Sequence, residues 1–231
     1  MTGLFGPSEW AAIFLSLRVA FLATLVALPL AVAIAYLLAR KDFFGRHLLN
    51  GMVHLPLVLP PVVTGYLLLV VFGRHGVVGG FLDRIFGISF AFHWTGAALA
   101  AGIMAFPLMV RAIRLGIEAV DPGLEQAAAT LGASRWRIFA TVTLPLIVPG
   151  VLAGAILGFA KALGEFGATI TFVAAIPGQT QTIPSAIYGL LQVPGSEPAV
   201  LRLVLVSVVL SMGALLVSEW LARRMARKVG R

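Results

Sequence analysis

Apolar residues run along this chain in stretches far longer than a soluble helix needs, separated by short polar segments. A membrane-crossing helix needs about 20 mainly apolar residues. Five stretches qualify, near Ala12–Leu38, Met52–Phe72, Trp94–Leu115, Leu146–Val173 and Val200–Ala222. They predict an all-α integral membrane protein of five transmembrane helices, forming a single domain over residues 1–231. Thr182–Gln192 is apolar but short, and Pro184 and Pro194 bound it. It reads as a re-entrant or partial helix at the outer surface, since non-helical backbone at membrane depth must be buried in protein or face water.

The polar segments orient the spans. Arg40, Lys41 and Arg46 lie between the first two, and Arg111, Arg114, Arg135 and Arg137 lie from the end of the third to the start of the fourth. Arg223, Arg224, Arg227, Lys228 and Arg231 follow the fifth, which puts 12 of the 17 basic residues on one side. The loops on the other side hold Arg74 and Arg84, and the first ten residues, MTGLFGPSEW, hold neither Lys nor Arg. Basic loops stay in the cytoplasm. The N-terminus is therefore expected outside and the C-terminus inside a bacterial inner membrane. The first apolar run is too long for a cleaved signal peptide and is expected to remain as a span.

Composition agrees with lipid as the main solvent. Hydrophobic residues make up 60% of the chain and charged residues 11%, against about 25% charged in soluble domains. The net charge of +8 is explained by topology, so it does not call for nucleic acid or an anionic cargo. The absence of cysteine excludes disulfides, thiolate metal sites and cysteine nucleophiles. His47, His54, His75 and His93 show no metal-ligand spacing. A P-loop requires a lysine preceded by glycine, whereas Lys41, Lys161 and Lys228 follow Arg, Ala and Arg. No ATPase is expected in this chain, and no enzyme activity or cofactor.

The longest cytoplasmic connection, about residues 118–145, reads EAVDPGLEQAAATLGASRWRIFATVTLP. Asp121 is placed to cap a helix that Pro122 begins, because proline at the first helical position loses no hydrogen bond. Gly132 supplies the stop, and Ser134 is placed to cap a second helix carrying Trp136. Leu124, Ala128 and Leu131 share one face at helical spacing, with Glu125 and Gln126 near the other. The pattern fits an amphipathic helix pair against the membrane. It also fits a DNA-reading helix-turn-helix, but a tether between two spans makes nucleic acid an implausible partner.

At these residues the chain resembles the permease subunits of binding-protein-dependent ABC importers, whose EAA loop has an acidic residue, two alanines, a glycine and an Ile-x-Leu-Pro-like ending. The matching positions are Ala127, Ala128, Gly132, Val142, Leu144 and Pro145, with nine residues between Gly132 and Val142. Gln126 stands at the family's glutamate position and Glu125 one place earlier. The acidic contact is thus shifted, or replaced by an amide hydrogen bond. The resemblance implies that a coupling helix here sits in a groove of an ATPase subunit. The ATPase-coupling residues would be Asp121, Glu125, Gln126, Ala127, Ala128, Gly132 and Trp136. It further implies a homodimer, two copies of an ABC ATPase that binds ATP and Mg, and a periplasmic binding protein.

LPPVVTGYLLLVVFGR (Leu59 to Arg74), FPLMVRAIRLGIEAVD (Phe106 to Asp121) and LGEFGATITFVAAIPGQTQTIPSAIYGLLQ (Leu163 to Gln192) are similar to molybdate permeases. Tungstate, sulfate and other oxyanions are the alternative cargoes. A secondary transporter or channel is the alternative from another class. It would carry inverted repeats, and none is visible. A dianion needs a polar, water-filled route with hydroxyls and a compensating charge. The candidates are Thr64, after two prolines, and Lys161, Glu165, Thr169 and Thr171 in the fourth span. Lys161 lies some 13 residues, or about 20 Å, beyond Val148 along a helix. Lys161 and Glu165, four apart, read either as a self-neutralising structural pair or as part of the pathway lining. Arg18 and Arg202 are expected near the outer ends of their spans, reaching to the headgroups.

Overall fold

The structure, a computed structural model, describes residues 5–229. Met1 to Leu4 and the charged terminal Arg231 lie outside the described residues. The chain runs through α1 (Pro7–Arg40), α2 (Arg46–Val58), α3 (Pro61–Phe72), α4 (Val77–Phe86) and α5 (Trp94–Glu118). It continues through α6 (Pro122–Thr130), α7 (Arg135–Ile138), a π-helical turn (Phe139–Thr143), α8 (Leu144–Leu163), α9 (Gly167–Val173), α10 (Ile183–Leu190) and α11 (Glu197–Val229). Every described element is helical, as the apolar pattern demands in a solvent that cannot pair with an open sheet edge.

Among the described residues four helical runs are long and apolar enough to cross a membrane: Pro7–Arg40, Trp94–Glu118, Arg135–Leu163 and Glu197–Val217. The second predicted span, Met52–Phe72, is not one straight helix. It is α2 and α3 bent by 115°, and the two pass as a span only together. The cause is the Pro60–Pro61 pair. Leu59 and Pro60 take extended backbone, with ψ of 142° and 134°, as a residue preceding proline prefers. The fourth predicted span, Leu146–Val173, is likewise interrupted at residues 164–166, between α8 and α9. The partial helix expected at Thr182–Gln192 is α10. Ser16 Oγ of α1 accepts a hydrogen bond from its first amide, Ile183, at 2.7 Å.

α5 is the central helix. Of its most apolar window 67% is buried inside the chain, against 6% for α11. It is packed through small residues, because without a hydrophobic force between helices in lipid, close backbone approach supplies the attraction. Ala97, Ala98, Ala100, Ala101 and Ala105 of α5 pack with Ala20 and Ala23 of α1 in one buried cluster. Against α8 the contact is closer still. A methyl group built on Gly150 would lie 3.0 Å from the Gly116 Cα. Further along, Gly154 faces Ile113 and Met109, and Gly158 faces Met109. The outward faces of α1 (Phe14, Phe21, Val26) and α11 (Leu201, Leu205, Val209) are exposed and apolar, as surfaces that meet lipid or another membrane protein must be.

The two arginines expected near the outer ends of their spans have partners within the chain. Arg202 is not a free headgroup anchor: it pairs with the buried Glu9 at 2.9 Å. Glu9 in turn accepts the Gly6 amide at 2.5 Å. Arg18 lies over the Trp94 ring, 3.7 Å from its centroid.

Candidate functional site

The loop between α5 and α8 folds as its punctuation predicts. Asp121 Oδ1 accepts the Gly123 amide at 2.8 Å and starts α6. At the other end Ala133 N–H donates to Ala128 O (3.2 Å) and Gly132 N–H donates to Ala129 O (3.0 Å). This is the Schellman closure of a helix, which needs a left-handed residue at the turn. Gly132 provides it with φ of +80°. Ser134 Oγ accepts the Arg137 amide at 3.4 Å and caps α7. A π-helical turn follows and leads into α8.

α6 buries none of its residues. Gln126 and Ala127 are exposed and Ala128 is half-buried. Leu131 is 88% exposed and Trp136 82%. The apolar face predicted from Leu124, Ala128 and Leu131 is therefore not laid against the chain's own body, since Leu124 too is exposed. Large exposed apolar side chains grouped beside a small-residue face mark an interaction surface. Glu125 points the other way. Its Oε1 accepts a hydrogen bond from Thr143 Oγ1 at 2.8 Å and lies 3.6 Å from Arg40 Nη2. Of the residues assigned to the coupling loop, Gln126, Ala127, Gly132 and Trp136 share the open side, and Glu125 is turned inward.

Sequence reading did not find Arg40 or Thr143. Nothing in the local pattern marks them, because Arg40 meets Glu125 across 85 positions of sequence and Thr143 reads as an ordinary residue before a span. Asn50 is another such partner. Its Oδ1 accepts from Arg114 Nη1 at 3.1 Å, while Arg114 also holds Glu118 at 2.7 Å.

The second group of candidates meets at the break in the fourth span. Lys161 Nζ donates to Glu165 Oε2 at 2.8 Å. Glu165 Oε1 accepts the Ala168 amide at 3.0 Å, so this carboxylate also closes the first turn of α9. The two partners differ in access: the Glu165 side chain is 1% exposed and that of Lys161 31%. Their level in the membrane follows from α5. Gly150 sits at Gly116, Gly158 sits at Met109, and the far end of α9 reaches Gly96, where Val173 touches. Lys161, one turn beyond Gly158, is thus level with the middle of α5.

Thr169 Oγ1 donates to Phe166 O at 2.8 Å, and Thr171 Oγ1 to Gly167 O at 2.8 Å. Both hydroxyls are engaged by their own helix. Thr64 is different: its Oγ1 is buried and has no hydrogen-bond partner among the described residues. α3 packs on α9 with no room between them. A methyl on Gly65 would lie 2.6 Å from Ala168 O, and one on Gly167 2.7 Å from Pro61 Cβ. The structure thus gathers Thr64, Lys161, Glu165, Thr169 and Thr171 around the α8–α9 break and the α3 flank. The residues of the α6–α7 loop form a separate group, beyond the other end of α8. Among the described residues no group of His, Asp and Glu could hold a metal ion.

Comparison with known proteins agrees with this architecture. The Molybdenum transport system permease protein ModB of Haemophilus influenzae is 60% identical over 222 residues, covering 96% of this chain and 97% of that protein. The protein of the same name from Escherichia coli K12 is 59% identical over 223 residues, with the same coverage. A Sulfate transport system permease protein, CysW of Synechococcus elongatus, is 38% identical over 73% of this chain and 60% of its own length. Among solved structures, a bacterial ABC transporter involved in the import of the acidic polysaccharide alginate superposes with a TM-score of 0.74 at 21% identity. That match covers 95% of this chain and 80% of the other. An amino acid ABC transporter shares the fold with a TM-score of 0.66 at 20% identity, covering 94% of each chain. The family described as binding-protein-dependent transport system inner membrane component matches residues 27–227, and this chain belongs to it.

Proposed function

We propose that this chain is the membrane permease of an ATP-driven importer that carries molybdate across the bacterial inner membrane. Two copies form the pathway about a twofold axis, since the spans of one chain are too few to enclose a route. Two copies of a separate ABC ATPase bind ATP and Mg, and an extracytoplasmic binding protein delivers the oxyanion. The N-terminus faces outward and the C-terminus the cytoplasm. The observation that carries the coupling assignment is the capped helix pair α6–α7, which leaves Leu131 and Trp136 open beside Gln126 and Ala127. A short rigid helix held between two spans passes on a rigid-body movement better than a flexible loop. The cargo rests on the two molybdenum permease proteins, 59–60% identical over 96% of this chain.

Within the pathway group, Lys161 lines the route. An ammonium that is 31% exposed at the middle of a membrane span is costly against lipid; Glu165 pairs it on one side, and its open side calls for water or an anion. Glu165, Thr169 and Thr171 support the break from behind. Thr64 joins the lining when α3 and α9 separate, which gives its hydroxyl a partner.

The test is transport by purified permease reconstituted in lipid vesicles with its ATPase and binding protein. Molybdate uptake should require ATP and both partners, and tungstate should compete better than sulfate. Uptake by the permease alone would instead mark a channel or secondary transporter.

A further inference from the structure

Beneath the open face of α6 lies a polar knot that the coupling reading does not use. Arg40, the last residue of α1, donates through Nη2 to Val120 O at 2.8 Å, and the same nitrogen lies 3.6 Å from Glu125 Oε1. Glu125 Oε1 also accepts from Thr143 Oγ1 at 2.8 Å. Thr143, the last residue of the π-helical turn, is fully buried, and Val120 is nearly so. Arg40 and the Glu125 carboxylate together thus join the end of α1, the turn after α5, α6 and the π-helical turn that leads into α8. Alongside it the Tyr36 and Phe139 rings meet edge-on at 5.4 Å, tying α1 to the π-helical turn a second time.

α6 has no buried residue, so apolar packing does not fasten it to the spans. A helix held that way would swing on its two turns when pushed. Charge-assisted hydrogen bonds are the stronger kind and fix direction as well as distance. Arg40 Nε is buried without an acceptor among the described residues. The Arg40–Glu125 contact, at 3.6 Å, is longer than a hydrogen bond, so it can shorten when α6 is pressed toward the spans. π-helical turns recur at functional positions, and this one places Thr143 on the carboxylate.

We infer that Arg40, Glu125 and Thr143 form a clamp that makes α6 a rigid extension of α1 and α8, so that movement of the docked ATPase reaches the membrane helices. They are positioning residues: none touches cargo or nucleotide. The inference rests on α6–α7 being the ATPase docking surface.

The experiment uses the assembled complex in lipid vesicles and measures molybdate taken up per ATP hydrolysed. Arg40→Met and Thr143→Val should still co-purify with the ATPase and allow hydrolysis, while uptake per ATP falls about fivefold or more, the low end of usual coupling free energies. Glu125→Gln, which keeps an acceptor for Thr143 but loses the charge facing Arg40, should fall between these and the unsubstituted chain. Unchanged uptake per ATP in both Arg40→Met and Thr143→Val would overturn the clamp. If either variant fails to assemble, the native absence of cysteine permits a second test with cysteine-free partners. Arg40→Cys with Glu125→Cys, bridged by a short bifunctional thiol reagent, should recover assembly and uptake; no recovery overturns the clamp. Trp136→Ala separates the two readings. If it leaves ATPase binding intact, the docking surface itself is wrong. If it abolishes binding while the clamp variants keep normal uptake per ATP, only the clamp is wrong.

Discussion

Lys161 and Glu165 show how unequal access divides one ion pair into two roles. Glu165 is sealed in and closes α9, whereas the Lys161 ammonium keeps partial access. Lys161→Met leaves a buried carboxylate with one backbone hydrogen bond, and removing one partner of a buried pair costs about 3–5 kcal/mol. Glu165→Gln keeps an acceptor for the Ala168 amide and leaves an ammonium that is 31% exposed rather than sealed in. Complex yield should therefore drop more for Lys161→Met than for Glu165→Gln. The double variant should recover yield, and molybdate uptake should stay low because the compensating charge is missing. Full uptake by the double variant would remove Lys161 from the route. Gly132 is a second single-residue case. A methyl there meets nothing within 4 Å, so φ of +80°, not space, requires glycine. A left-handed residue with a side chain costs about 1–2 kcal/mol, and asparagine tolerates that region better than most. Gly132→Asn should keep ATPase stimulation and Gly132→Val should lose it; equal activity in both would show that the turn is not needed.

At the scale of elements, the packing of α8 on α5 depends on glycine more than on apolar bulk. Gly150 and Gly116 meet nearly backbone to backbone, and a larger side chain in such a site costs about 1–3 kcal/mol, occasionally more. Gly150→Leu should lower the melting temperature of the detergent-purified complex. Gly213→Ala on α11, with nothing within 4 Å, should leave it unchanged or raise it slightly through helix propensity. A Gly150→Leu protein as stable as the original would mean the two helices do not cross here. The crossing was not legible in the sequence, because a glycine in a span looks the same whether it meets lipid or a helix. The spans themselves were legible, since lipid imposes a continuous apolar run. Their interruptions were only half so: Pro60 and Pro61 signalled a loosened ladder, but hydropathy does not change across a bend. The Gly164–Phe166 break gave no signal beyond one glycine. The caps of the α6–α7 loop at Asp121, Gly132 and Ser134 were read residue by residue because caps are local chemistry. Only the direction of Glu125 escaped, since its partners come from α1 and the start of α8.

For the whole molecule, the basic residues and the fold make a joint statement about orientation. The proposed orientation puts the α1–α2 turn with Arg40, Lys41 and Arg46, the α6–α7 loop with Arg135 and Arg137, and the C-terminal end of α11 on the same side. Arg40 touching Glu125 and Val120 places the first two of these together in space, which charge counting alone does not establish. The α4 segment belongs opposite, and its structure chooses where a reporter can be inserted. Gly79 is a poor site, because even a methyl there would lie 2.1 Å from Gly73 O. Gly87 closes α4 with φ of +64° and nothing within 4 Å, so an insertion after it leaves the helix intact. A phosphatase that works only outside the cytoplasm should be active when inserted after Gly87 and inactive when fused after Arg231. A fluorescent protein that folds only in the cytoplasm should give the reverse pattern. Opposite results at both sites would invert the orientation and place α6–α7 beyond the reach of any ATPase. Activity of one reporter at both sites would mean an even number of crossings between them, so one of the three runs that follow Gly87, α5, α8–α9 and α11, would enter and leave on one face instead of spanning.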